Sequence, residues 1–204
     1  MRLNWLFAVV LLTAPAAFAR EGDPGVHTHD GFYLRGQFGL GYTRAEAADV
    51  DLAIKGISGS LDLEVGYAVF TNFIIYGKLF GSSVTNPDLE IDGDTIEGEA
   101  GDDVSSNYMG IGAGVTYYFM PANFYITGAL VVNELSITED GDNVAETDAG
   151  VGIHLGIGKE WWVSDNWGIG IGAEVALGRI RSDSNDGDDW NVAHFGLLFT
   201  ATYN

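Results

Sequence analysis

Between residues 150 and 178 the chain alternates. Val151, Ile153, Leu155 and Ile157 interleave with Gly152, His154, Gly156 and Gly158. After Ser164-Asp165-Asn166 the pattern resumes, with Ile169, Ile171, Ala173, Val175 and Leu177 set between Gly170, Gly172, Glu174 and Ala176. Successive strand side chains point to opposite faces, so this is a β-hairpin with one bulky apolar face and one small or polar face. The same period recurs in eight segments, near residues 32–43, 57–69, 73–82, 107–119, 124–135, 150–163, 167–180 and 190–203. Each has the length of a tilted membrane-spanning strand, about 9–11 residues with frayed ends. Three connections are tight: Phe70-Thr71-Asn72, Met120-Pro121-Ala122-Asn123 and Ser164-Asp165-Asn166. The other four, 44–56, 83–106, 136–149 and 181–189, are long. Short turns at one end and long loops at the other predict an all-β fold, an eight-stranded antiparallel up-and-down transmembrane β-barrel. An even strand count puts both termini at the short-turn, periplasmic end.

The alternation also assigns the faces. The outward set reads Leu34, Phe38 and Leu40; Leu61, Leu63 and Val65; Ile75 and Leu79; Ile111, Val115 and Tyr117; Ile126, Leu130 and Val132. It continues with the apolar residues of the hairpin described above and ends with Phe195, Leu197 and Phe199. This band contains no ionisable group other than a tyrosine, which suits hydrocarbon, where unpaired charge is expensive. A soluble barrel of the lipocalin kind predicts polar outward faces instead. The inward set is Arg35, Gln37, Asp62, Glu64, Tyr76, Lys78, Tyr118, Thr127, His154, Glu160, Glu174 and His194, with many glycines. Centring the first tight turn on Thr71 puts Glu64 opposite Lys78, and centring the third on Asp165 puts His154 diagonal to Glu174. Directly opposed side chains lie about 4.5–5.5 Å apart at Cβ, within reach of an ion pair. Arg35 is expected to meet one of these carboxylates across the lumen. Arg35, Asp62, Glu64, Lys78, His154, Glu174 and His194 are therefore the expected lumen network, with a structural role. The inward glycines at 110, 112, 114, 152, 156, 170 and 172 leave room for long side chains or for water.

Charge sharpens the orientation. The formal net charge is -20. Of the 29 acidic residues, three, eight, five and four fall in the successive long loops, whereas the tight turns hold only Asp165. A barrel with one rim facing outward explains such segregation, and a soluble domain does not. Phe70, Phe73, Phe119, Phe124, Trp161, Trp162 and Trp167 cluster at the other end, as an interfacial aromatic girdle would. Such acidity excludes electrostatic binding of nucleic acid.

The start of the chain reads as an export signal. Arg2, an apolar run from Leu3 and Ala17-Phe18-Ala19 give the three parts of a signal peptide over residues 1–19. A short segment, 20–30, then leads into a barrel over 31–204. The chain has no cysteine. That excludes a disulfide scaffold and a lipid-bearing cysteine.

Catalytic and metal chemistry are weakly supported. A hydrolytic barrel of the lipid A deacylase type places a serine two residues from a histidine on one strand. Here His154 is followed by Gly156, and His194 by Gly196. Asp88, Glu90, Asp92, Asp94, Glu97, Glu99, Asp102 and Asp103 crowd the second loop, Asp140 and Asp142 the third, and Asp183, Asp186, Asp188 and Asp189 the fourth. Their spacing does not match a calcium loop; Asp183, Asn185 and Gly187 come near, with the glycine one place early. Solvated loops are the expectation, with divalent cations bridging them to lipopolysaccharide phosphates as a softer one. His27-Thr28-His29-Asp30 is a weak metal pattern. No metal site and no cofactor is assigned.

The repeated pattern, as in YMGIGAGVTYYF at 108–119 and HFGLLFTATY at 194–203, resembles the small outer-membrane β-barrel proteins of the OmpX, OmpA transmembrane-domain and opacity-protein type. The resemblance covers 31–204. It implies a monomer in the outer membrane among lipids and lipopolysaccharide, serving adhesion, envelope integrity or host interaction. Members commonly end in an aromatic residue, and here Tyr203 precedes a final Asn204. A narrow pore and a lipid A-modifying enzyme are the alternatives.

Overall fold

The computed structural model describes residues 27–99, 101, 103–181 and 189–204. The expected leader and three of the four fourth-loop aspartates, Asp183, Asp186 and Asp188, lie outside them. Eleven strands follow in order: β1 (Gly31–Ala47), β2 (Leu52–Phe70), β3 (Phe73–Thr85), β4 (Asp88–Ile91), β5 (Asp94–Ile96), β6 (Val104–Phe119), β7 (Phe124–Glu139), β8 (Asp142–Glu146), β9 (Gly150–Trp162), β10 (Trp167–Ile180) and β11 (Trp190–Tyr203). Eight of these, all but β4, β5 and β8, form an antiparallel wall. It closes because β1 pairs with both β2 and β11. Closure removes the free strand edges that an open sheet would expose.

The faces follow the alternation. Phe38, Leu61, Ile111, Leu130, Ile171 and Leu197 stand exposed on the outside, while Arg35, Gln37, Glu64, Lys78 and Thr200 are buried inside. The core of the protein is therefore its lumen, and the outer wall is an apolar belt. The tight turns close where expected, and Asn72 and Asn123 take the left-handed conformation there (φ +66° and +54°), which asparagine tolerates.

Two departures have clear causes. Five strands run past their expected long-loop ends, since ladder hydrogen bonds persist above the belt without apolar side chains. The second and third long loops also contain hairpins rather than open coil. β4 pairs with β2 and β5, and β8 pairs with β7. Each of the two hairpins turns on an Asp-Gly pair: Asp92-Gly93 at φ +51° and +84°, and Asp140-Gly141 at φ +52° and +84°. Both central residues at positive φ match the type I′ hairpin turn. Two residues that look like part of an acidic cluster are thus turn formers.

The girdle needs one correction. Phe70, Phe119, Phe124, Trp161 and Trp167 are exposed at the turn end, but Trp162 faces inward, where its ring stacks on His27 at 4.8 Å. Trp161 and Trp162 are adjacent on β9, so alternation sends them to opposite faces.

Candidate functional site: the polar lumen

The lumen is layered from the tight-turn end upward. At the bottom, residues 27–30 fold across the mouth. His29 is buried, stacks on Tyr118 at 3.5 Å and donates from Nε2 to Asn123 Oδ1 at 2.9 Å. Its backbone N–H donates to Asn72 Oδ1 at 3.0 Å, and the Asn72 N–H donates back to its carbonyl at 2.8 Å. The weak metal pattern at 27–30 is thus engaged in stacking and hydrogen bonding. Burial, opposed by the Asn123 bond, pushes the His29 pKa down to about 4. The neutral ring is therefore the docked form. Docking is fully present above the ordinary histidine value near 6.5 and weakens as pH falls toward 4, because the released segment takes up the proton first. Hydrogen exchange should show the His29 and Asn72 amides losing protection, relative to wall amides, between pH 7.5 and 5. Equal protection at both pH values would contradict this docking.

Above the plug, Glu160 accepts from Tyr118 Oη (3.1 Å), Thr200 Oγ1 (3.1 Å) and Thr202 Oγ1 (2.7 Å). Arg35 lies next, fully buried. Its Nη2 and Nε donate to Glu64 Oε2 at 2.7 and 3.0 Å. The guanidinium also sits over the Tyr125 ring, 4.4 Å from the centroid, a favourable cation–π placement. Arg35 is expected to reach a carboxylate across the lumen, but Glu64 is its direct partner on the neighbouring strand. Closing β1 against β2 makes that shorter contact.

Glu64 does stand opposite Lys78 in the β2–β3 register, yet it pairs with Arg35. Lys78 instead bonds Asp62 Oδ2 at 2.9 Å and reaches across the lumen to Glu174 on β10. Glu174 also accepts from His154 Nδ1 at 2.8 Å. One carboxylate, Glu174, thus joins a lysine and a histidine from different sides of the barrel. Taking such charges out of water is offset only by close pairing, so the network gains little net stability but is costly to break.

His194 stands apart. Thr43 Oγ1 lies 2.8 Å and Ser82 Oγ 3.3 Å from its Nδ1, and Ser60 Oγ lies 3.2 Å from its Nε2. These hydroxyls come from β1, β2 and β3. None lies on the histidine's own strand, because the barrel brings them together across strands. The signal in the sequence is the run of inward hydroxyls at Thr43, Ser58, Ser60 and Ser82. Among the described residues no carboxylate is hydrogen-bonded to this ring, as one would be to orient a hydrolytic base. Among the described residues no three acids or histidines converge as metal ligands.

The inward glycines serve the aromatic filling. A Cβ at Gly114 would lie 2.6 Å from the end of Tyr76, and one at Gly158 2.4 Å from the end of Tyr125. Tyrosine rings thus occupy room that the glycines leave. The cavity bounded by Asp62, Phe80, His154, Glu174 and His194 measures about 10 Å³, room for roughly one water.

No protein-family model and no curated protein matches the sequence. Solved structures do. The crystal structure of Neisserial surface protein A is similar at 15% identity and a TM-score of 0.55, covering 85% of this chain and 97% of that one. Outer membrane protein AlkL, solved by solid-state NMR in DMPC lipid bilayers, is similar at 12% identity and a TM-score of 0.53, covering 90% and 94%. At such identities the likeness is one of fold, and the fold of this chain is that of the small eight-stranded outer-membrane β-barrels.

Proposed function

We propose that the protein is exported and resides in the outer membrane as a non-enzymatic barrel with a filled lumen. Its role is structural or one of surface interaction through the acidic extracellular hairpins. The observation that carries this reading is the inversion of ordinary burial. Large apolar side chains cover the outside, while Arg35, Glu64, Lys78 and Glu174 are buried in paired contacts. A wall of this kind suits lipid, and a lumen packed with tyrosines and ion pairs suits support of the wall better than passage of solutes. The hydroxyl surroundings of His194 favour packing over acyl transfer.

The test is fractionation, gel mobility and conductance together. The protein is expected to sediment with outer membranes, to change gel mobility on heating, and to leave planar bilayers without steady channels. A stable conductance would replace this reading with that of a narrow pore. An altered lipid A mass spectrum on expression would replace it with that of an enzyme.

A further inference from the structure

The outer belt is indented by a groove low in side chains. Where β1, β2, β3 and β6 lie side by side, a groove of about 360 Å³ opens on the outside of the wall. Its floor is made by Gly59 and Gly81, where an added Cβ would meet nothing within 4 Å. The register sets Gly59 beside Ser83, and Gly81 between Leu61 and Met109. Phe38, Leu61 and Met109 stand around it, exposed and apolar. One end is polar. Ser83 Oγ donates to Asn107 Oδ1 at 2.7 Å, and Asn107 Nδ2 donates to Thr138 Oγ1 at 3.3 Å. The Asn107 amide has a second N–H to offer.

The height of the groove is set by strand geometry. Gly81 is eight residues above Phe73 at the turn, or about 20 Å at the usual rise and tilt, and Ser83 is about 25 Å up. An apolar band about 25 Å tall therefore ends near Ser83 and Asn107, so the apolar part of the groove lies within hydrocarbon and its polar end at the headgroup level.

Resting on the outer-membrane reading, we propose that this groove is a lipid-binding site that seats one acyl chain of an outer-leaflet lipid, with the carbonyl at the head of that chain accepting from Asn107. The groove is continuous with the belt below it, at Leu63 and Leu79, so the molecules covering the belt are those that fill it. A flexible chain follows a glycine floor between bulky walls. A second barrel would need a protruding ridge to do so.

The full chain is reconstituted in vesicles of phosphatidylcholine and phosphatidylglycerol containing phosphatidylcholine with a diazirine in one acyl chain. After photolysis, adducts are mapped. Leu61 and Met109 are expected to carry several-fold more label than Ile171 and Leu197 elsewhere on the wall. In Gly59→Leu with Gly81→Leu, whose new side chains point into the groove, that excess should disappear while heat-modifiable mobility persists. Even labelling around the wild-type barrel overturns the site and leaves the membrane reading standing. Absence of label from the whole outer face overturns both. A wild-type dimer that the double variant dissolves assigns the groove to a second copy of the chain and also overturns the proposal.

Discussion

Replacing Glu64 with glutamine is expected to destabilise the barrel by about 3–5 kcal/mol, the cost of leaving a buried charge without its partner. Arg35 and Glu64 both have side chains fully removed from solvent. Glutamine keeps the shape but removes the charge that balances the guanidinium, and the Tyr125 ring compensates only in part. Arg35 cannot escape by losing its proton, since guanidinium stays charged in proteins. Replacing both partners by apolar residues, Arg35→Met with Glu64→Leu, should recover most of the loss, because the pair's attraction and its desolvation nearly offset each other. Urea unfolding in phospholipid vesicles gives both numbers. A loss below about 1 kcal/mol in the single variant would place the pair in the range of solvent-exposed ion pairs.

The second large effect lies on the other face. Leu197 is 61% exposed, near the middle of β11, between Leu40 and Ala173 in register. Leu197→Arg should cost about 2–4 kcal/mol in a bilayer, as arginine does near the midplane of membrane barrels. Val144 in the β8 hairpin is exposed to a similar degree, 56%. Val144→Arg should stay within about 0.5 kcal/mol, as surface changes in water do. Exposure alone predicts equal costs, whereas a lipid-facing belt predicts a large difference. Equal, small costs at the two positions would mean that the outer face meets water.

The two variants probe features of different legibility. Leu197 is assigned to the outer face by alternation alone, since a strand with period two has one face or the other. The same holds for the inward set, from Arg35 to His194. The tight turns settle the registers of the hairpins they close, so Glu64 opposite Lys78 and His154 diagonal to Glu174 follow from counting residues. The Asp-Gly pairs at 92–93 and 140–141 were equally readable as hairpin turns, but their acidity draws attention to the cluster instead.

Partner choice was not readable in this way. Lys78 has Glu64 directly opposite, yet pairs with Asp62 and Glu174. The reason is competition. Closing β1 onto β2 brings Arg35 to Glu64, and curvature of the wall then points Lys78 toward β10. Likewise His194 gains its hydroxyls from β1 to β3 only because β11 pairs with β1. The sequence by itself determined the strands, their faces and which end carries the acids, because these depend on neighbours a few residues apart. The tertiary structure decided which charges meet, what fills the lumen and where the outer wall is hollow. Those depend on distances across the barrel, which only closure sets.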